Sequence, residues 1–158
     1  GMDLKEYFHD LKLKDPDDKG GETKYGIAKR WHPDVDIKSL TLEEAKQIYW
    51  KEYWNPLQLA VVRDNGIATE IFEQAINMGR QWAGFHLQWS LGLLGSPVAV
   101  VDGWIGTITV KALNDLPPRL IVPLLKCMNG FQFSRYREIV ENDPSQKKYF
   151  VGWLKRIS

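Results

Sequence analysis

Apolar residues recur at helical spacing along most of the chain. Leu4, Tyr7, Phe8 and Leu11 fall on one face of a short amphipathic helix between Asp3 and Leu11. Thr41 and Glu44 have the spacing of a capping box, in which each side chain satisfies an exposed amide at a helix start. Leu42, Ala45, Ile48, Tyr49 and Tyr53 continue that helix until Asn55-Pro56 stops it. Leu57 to Val62 is short and apolar, and reads equally as a strand or a buried turn. Ile67, Ala68, Ile71, Phe72, Ala75 and Ile76 predict a helix closed by Asn77-Met78-Gly79. Gln81 to Leu94 is apolar nearly all round, with Trp82, Phe85 and Trp89 on one side and Leu87, Leu91 and Leu94 on another. That pattern predicts the central helix. Val98 to Val101 is β-prone, Asp102-Gly103 is a turn, and Gly106-Thr107 starts a helix through Leu113. Pro117-Pro118 opens a longer helical run through Leu124, Leu125, Met128, Phe131, Tyr136 and Ile139, which Pro123 is expected to kink or restart. Asp143, Pro144 and Gln146 have the order of a helix start, and Tyr149, Phe150, Trp153 and Leu154 give that last helix its buried face. The expected architecture is mostly α, with one small β element at most.

One stretch has no such period. Asp15 to Trp31 reads DPDDKGGETKYGIAKRW, with Pro and Asp that favour a turn and a Gly-Gly pair that allows positive φ or close backbone approach. Ordered loops dense in polar and aromatic groups are where binding and catalysis concentrate. A solvated turn with a glycine hinge fits the same residues.

Composition narrows the classes. At 158 residues the chain makes one compact domain, or two small lobes sharing a core. Aromatic residues make up 12% of it, seven of them Trp, which is more than such a core needs and points to aromatics lining a groove. A net charge of +1 gives no basic footprint for nucleic acid. Cys127 stands alone, so no internal disulfide forms, and it reads as a small core residue. His9, His32 and His86 have no partners at zinc-site intervals, and neither a metal nor another cofactor is expected. No apolar run reaches the length of a membrane span. The start, GMDLKEYF, lacks a signal-peptide core, which predicts synthesis in the cytoplasm without one.

Several pieces in series carry a resemblance. The loop DPDDKGGETKYGIAKRW, the helix TLEEAKQIYWKEYWNP, and FEQAINMG, VDGWIGTITVKAL and FVGWLKRI together resemble the glycoside hydrolase family 108 muramidases, over residues 3–157. These are phage- and secretion-associated peptidoglycan hydrolases, some described as secretion activators, with a predicted peptidoglycan-binding region at the C-terminus. The resemblance implies a mostly α, lysozyme-like α+β fold: a helical bundle around a central apolar helix, with the long loop near the N-terminus as one wall of a glycan cleft. It implies a muramidase-like lobe over residues 3–66 and a peptidoglycan-binding helical lobe over residues 67–158, packed as one compact unit. The activity implied is lysozyme-like cleavage of the β-1,4 glycan bond after N-acetylmuramic acid. The partner implied is the peptidoglycan glycan strand, reached in the periplasm after export by a holin or a secretion system, or after lysis. Asp102 to Leu113 match the family's peptidoglycan-binding repeat, and Asn77 its helix-ending Asn-x-Gly.

The chain departs from that family at the chemistry. The family's acid is the Glu of an E-G-G-Y motif six residues before the first Asp of the D-P-x-D turn. Counting back from Asp15 lands on His9, in HDLKLK, and the tyrosine and both glycines are missing too. Loss of residues between Leu11 and Lys14, omission of residues there, and abandonment of the catalytic Glu all fit, the last leaving a non-catalytic peptidoglycan-binding or secretion-assisting module. Glycoside cleavage needs a protonated acid and a second carboxylate. Glu22, beside Tyr25 and within reach of a glycine backbone, is the first candidate for the acid; Asp10 and His9 follow. Each has a plainer reading: a loop anion for Glu22, a solvent-facing helix residue for Asp10, and a structural or exposed imidazole for His9.

Sugar rings present apolar faces that stack on aromatic side chains. Tyr25, Trp31, Trp50, Trp54 and Trp82 are therefore candidates for glycan contact, with core packing as the alternative for each. Trp104 differs, because the turn DGWIG has no helical period to bury it. Thr23, Asn77 and Asp102 are candidates for the glycan hydroxyls.

Overall fold

The computed structural model describes residues 23–25 and 27–158. Chain contacts divide them at the Lys51–Glu52 bond.

Up to Lys51, two short antiparallel strands, β1 (Thr23–Lys24) and β2 (Ile27–Ala28), pair Thr23 with Ala28 and Lys24 with Ile27. Helix α1 (Leu42–Tyr49) starts where the capping box predicts. The Glu44 amide donates to Thr41 Oγ1 at 3.2 Å, and the Thr41 hydroxyl donates to the Glu44 carboxylate at 2.8 Å. Ile27, Ile37, Leu40, Ala45 and Tyr49 are buried. Tyr49 also pins the hairpin turn, its hydroxyl donating to the Tyr25 carbonyl at 2.6 Å. The helix then widens into a π turn over Trp50–Trp54 and stops at Asn55-Pro56.

From Glu52 onward the chain is helical. Leu57 to Val62 resolves as a turn rather than a strand, with a 3-10 segment at Leu59–Val61. Helix α2 (Asn65–Met78) is capped by Asp64, whose carboxylate accepts from the Ile67 amide at 2.9 Å. Gly79, at φ 98°, both ends α2 and precedes α3 (Arg80–Leu93). Helix α4 (Thr107–Asn114) lies against α3. Helices α5 (Ile121–Asn142) and α6 (Lys147–Leu154) complete the set. Helices α2, α3 and α5 pack against one another and bury Ile67, Ile71, Ala75, Leu87, Leu91, Leu124 and Met128. α3 is central, as its all-round apolarity predicts.

Four local expectations change. Val98 to Val101 forms no strand and pairs with none of the described residues. Pro123 falls in the first turn of α5, where no amide donor is needed, so the helix runs through it to Asn142. Asp143 caps a 3-10 turn (Pro144–Gln146) that leads into α6 rather than α6 itself. On α6, Tyr149, Phe150 and Trp153 are half-buried while Leu154 is exposed. The helix closes on α5 through Tyr136–Trp153 and Phe133–Phe150 ring contacts at 5.3 and 6.2 Å.

Candidate functional site

The turn from Asp102 to Gly106 is held from below by a buried amide. Gln88 sits on α3, and its Nε2 donates to Asp102 Oδ1 (3.2 Å), the Trp104 carbonyl (3.0 Å) and Thr109 Oγ1 (3.2 Å). Its Oε1 accepts from the amides of Asp102 (3.1 Å) and Gly103 (2.8 Å). One side chain thus satisfies a turn that neither helix nor sheet could satisfy, as a buried polar backbone demands. Asp102 closes the turn by accepting from the Trp104 amide at 2.9 Å. That bond, with help from Gln88, holds the Asp102 carboxyl below its ordinary pKa.

Glycine is required on both sides of this contact. A Cβ on Gly84 of α3 would stand 1.8 Å from the Gly103 carbonyl oxygen, and Gly103 itself has φ 80°. Helix and turn therefore touch backbone to backbone. On this base Trp104 is 62% exposed, and Val100, Val101 and Ile108 are exposed apolar residues in the same segment. Such an arrangement presents a flat apolar ring beside a fixed carboxylate. It suits recognition of a surface with apolar and hydroxylated faces.

A second polar group is buried between the helices. Glu70, Glu73 and Gln74 of α2 and His86 of α3 are each at most 3% exposed. Gln74 Nε2 donates to Glu70 Oε1 (2.8 Å) and to the Met128 carbonyl (3.1 Å). Its Oε1 is therefore the acceptor for His86, 2.6 Å from Nδ1, which fixes the proton on that nitrogen. Burial, then the Arg135 charge, lowers the His86 pKa to about 4. Burial, then the neighbouring Glu70, raises the Glu73 carboxyl to about 7, and Glu73 Oε1 has no hydrogen-bond partner among the described residues. Burial also raises Glu70. Glu73 has a pKa suited to a general acid but is only 2% exposed. The sequence does hold a signal for this group: Glu70, Glu73 and Gln74 interrupt the most regular apolar run of the chain.

The residues singled out from sequence lie as follows. Asp102 and Trp104 share one turn. Asn77, in the last turn of α2, accepts from Arg156 Nη1 at 3.1 Å and ties down the C-terminal tail. Thr23 lies in β1. Tyr25 is half-buried at φ 52°, with the Lys24 ammonium 5.5 Å above its ring. Trp31 and Trp50 are 70% and 51% exposed, so neither is a core residue. Trp54 and Trp82 are half-buried, Trp54 edge-on to Phe72 and Trp82 under the Arg135 guanidinium at 4.1 Å. Glu22, Asp10 and His9 lie outside the described residues, as do the helix expected over residues 3–11 and the junction between Leu11 and Lys14. Among the described residues no cluster of His, Cys, Asp and Glu could hold a metal ion, and no helix is long and apolar enough to cross a membrane.

Residues 12–79 match the glycosyl hydrolase 108 family, and residues 82–158 match the predicted peptidoglycan domain. From residue 12 to the last residue, the two matches leave out residues 80–81, at the corner between α2 and α3. The matched glycosyl hydrolase 108 segment includes Glu22 and begins after His9 and Asp10. The Asp102–Gly106 turn lies wholly in the peptidoglycan domain. Among solved structures, Brucella abortus SagA superposes with a TM-score of 0.74 at 22% identity, over 98% of this chain and 86% of that one. The mostly α, lysozyme-like fold is thus shared. No curated protein compared with the chain matches it. Together the two matched segments suggest a peptidoglycan hydrolase-like or peptidoglycan-binding function.

Proposed function

We propose that this protein grips peptidoglycan glycan strands through the Asp102–Gly106 turn, with Trp104 stacking on a sugar face and Asp102 accepting from sugar hydroxyls. The supporting observation is the exposed Trp104 indole on a turn immobilised by Gln88. An aromatic held rigid before binding loses little entropy on contact, which is what makes such rings effective anchors. Sedimentation with insoluble peptidoglycan tests it: Trp104→Ala is expected to bind about tenfold more weakly, the usual scale for a Trp anchor. Equal sedimentation of the variant, or none by the parent protein, overturns the reading.

We further propose cleavage of the β-1,4 bond after N-acetylmuramic acid, with Glu22 as the acid. Its support is the position of Glu22 inside the matched glycosyl hydrolase 108 segment. The acid would protonate the leaving glycosidic oxygen while a second carboxylate activates water or attacks the sugar. Release of reducing ends from purified peptidoglycan between pH 4 and 8 is the readout. Glu22→Gln is expected to reduce it by about a hundredfold or more, the range for general acid catalysis. If Glu22→Gln keeps the activity, Asp10 and His9 inherit the role. If the parent protein binds peptidoglycan yet releases nothing, a binding or secretion-assisting module is the better account. Either activity is exercised on the cell wall, after export or lysis.

A further inference from the structure

The Asp102–Gly106 turn carries a charge that its own folding does not require. Asp and Asn serve equally at the head of such a turn, because the side-chain oxygen of either accepts from the amide two residues on. Here the Trp104 amide and Gln88 Nε2 both donate to Asp102 Oδ1, at 2.9 and 3.2 Å. Oδ2 accepts from neither, and the residue is exposed. The charge is also uncompensated. Between Arg80 and Lys111 the sequence holds no other Asp, Glu, Lys or Arg. Lys111 is committed to Asp115, one helical turn further on. The Trp104 amide and Gln88 hold the Asp102 carboxyl below its ordinary pKa, with no cation contributing.

The ring beside it is equally open. Tyr25, Trp31, Trp82 and Tyr149 each carry a cation from the chain itself: Lys24, Arg30, Arg135 and Lys148 respectively. No Lys or Arg among the described residues lies over the Trp104 indole, which is 62% exposed. Carboxylate and indole are joined through one 2.9 Å turn bond, and together they complement a cation on an apolar frame. Neutral hydroxyls make no use of the charge.

We propose that this turn selects a glycan unit bearing a free ammonium, a de-N-acetylated glucosamine, whose ammonium meets Asp102 Oδ2 while its ring lies on Trp104. The inference rests on the glycan reading of the turn and narrows its substrate class. An equatorial ammonium stands at the rim of the sugar ring, so it reaches a carboxylate beside the indole without lifting the ring away. It also draws electron density from the neighbouring C–H bonds, which makes them better partners for the negative face of the indole. The same carboxylate disfavours a muramic acid unit, whose lactyl substituent carries acidic groups. Strands with de-N-acetylated amino sugars are thus preferred over fully acetylated ones.

Calorimetric titration of the full chain with a glucosamine tetrasaccharide and with its N-acetylated counterpart tests this. Mildly acidic buffer keeps the glucosamine amines protonated and Asp102 ionised. The parent protein is expected to bind the glucosamine oligomer about fivefold more tightly, the scale of one exposed ion pair or cation–π contact. Added salt should erode that preference. Asp102→Asn, which retains the oxygen that holds the turn, should erase it. Trp104→Ala should weaken both oligomers about tenfold. Equal affinities in the parent protein overturn the amino-sugar assignment. So does a preference that survives Asp102→Asn, which would mark general attraction of a polycation. The glycan reading stands in either case, as long as the N-acetylated oligomer binds and Trp104→Ala weakens it. If neither oligomer binds, both readings fall.

Discussion

Gly84→Ala is expected to cost the protein about 3 kcal/mol and to release the Asp102–Gly106 turn from α3, at the upper end of what an added methyl costs in a packed site. Alanine is the better helix former by roughly 0.5–1 kcal/mol, so at an open helical position the change would stabilise. Here the new Cβ would stand 1.8 Å from the Gly103 carbonyl oxygen, and the obstacle is backbone, which has no rotamer to yield. Relief requires the turn to lift, and lifting it strands Gln88, whose Oε1 and Nε2 are matched to amides and acceptors on that turn. Buried groups left without partners add their own penalty. Urea denaturation and peptidoglycan sedimentation should therefore fall together. A variant within 1 kcal/mol of the parent, with sedimentation intact, would show that the helix–turn contact is not as tight as the geometry has it.

Glu73→Gln is expected to stabilise the protein at pH 8 by about 2 kcal/mol and to leave it nearly unchanged at pH 4.5. The Glu73 carboxyl has a folded pKa of about 7 against an ordinary 4.5. Its favourable contribution is therefore complete below pH 4.5 and is lost as the pH rises through 7, where a buried carboxylate must ionise. Glu70, shifted in the same direction by burial, acts with the same sign. His86 works against them. Its folded pKa of about 4 lies below the ordinary 6.5, so its contribution is present above 6.5 and lost as the pH falls through 4. Between pH 4.5 and 6.5 the slopes oppose, and His86 offsets part of the carboxyl slope in the parent protein. Removing the Glu73 carboxyl leaves Glu70 alone against His86, so the Tm of Glu73→Gln should rise relative to the parent's as the pH climbs over that interval. Parallel Tm profiles for the two proteins would rule out a buried, protonated Glu73.

The helices were legible because their determinants are local. Thr41 and Glu44 announce α1, Gly79 ends α2, and the apolar residues of Gln81–Leu94 mark α3 as central, all from neighbours within a few positions. Val98 to Val101 misled because β propensity is realised only with a pairing partner, and none of the described residues provides one. Pro123 misled by one turn: its effect depends on where the helix begins, and boundaries depend on the 3-10 turn before it. Among the candidates for glycan contact, the turn around Trp104 could be read from DGWIG. The exposure of Trp31 and Trp50 could not, since whether a ring is covered depends on chain far from it in sequence. The catalytic candidates Glu22, Asp10 and His9 remain propositions of sequence alone.

The sequence by itself determined that α1 to α5 are helices, that Thr41 caps α1, that Asp102-Gly103 turns the chain, and that its motifs resemble those of the glycoside hydrolase family 108 muramidases. Tertiary structure alone decided what that turn stands on, through a Gln88 whose partners are more than a dozen residues away. It also decided that Glu70, Glu73 and His86 are buried with shifted pKa values. The physical reason is the range of the interactions. Helix periodicity and capping act over three or four residues, whereas desolvation and charge pairing depend on which distant segments meet.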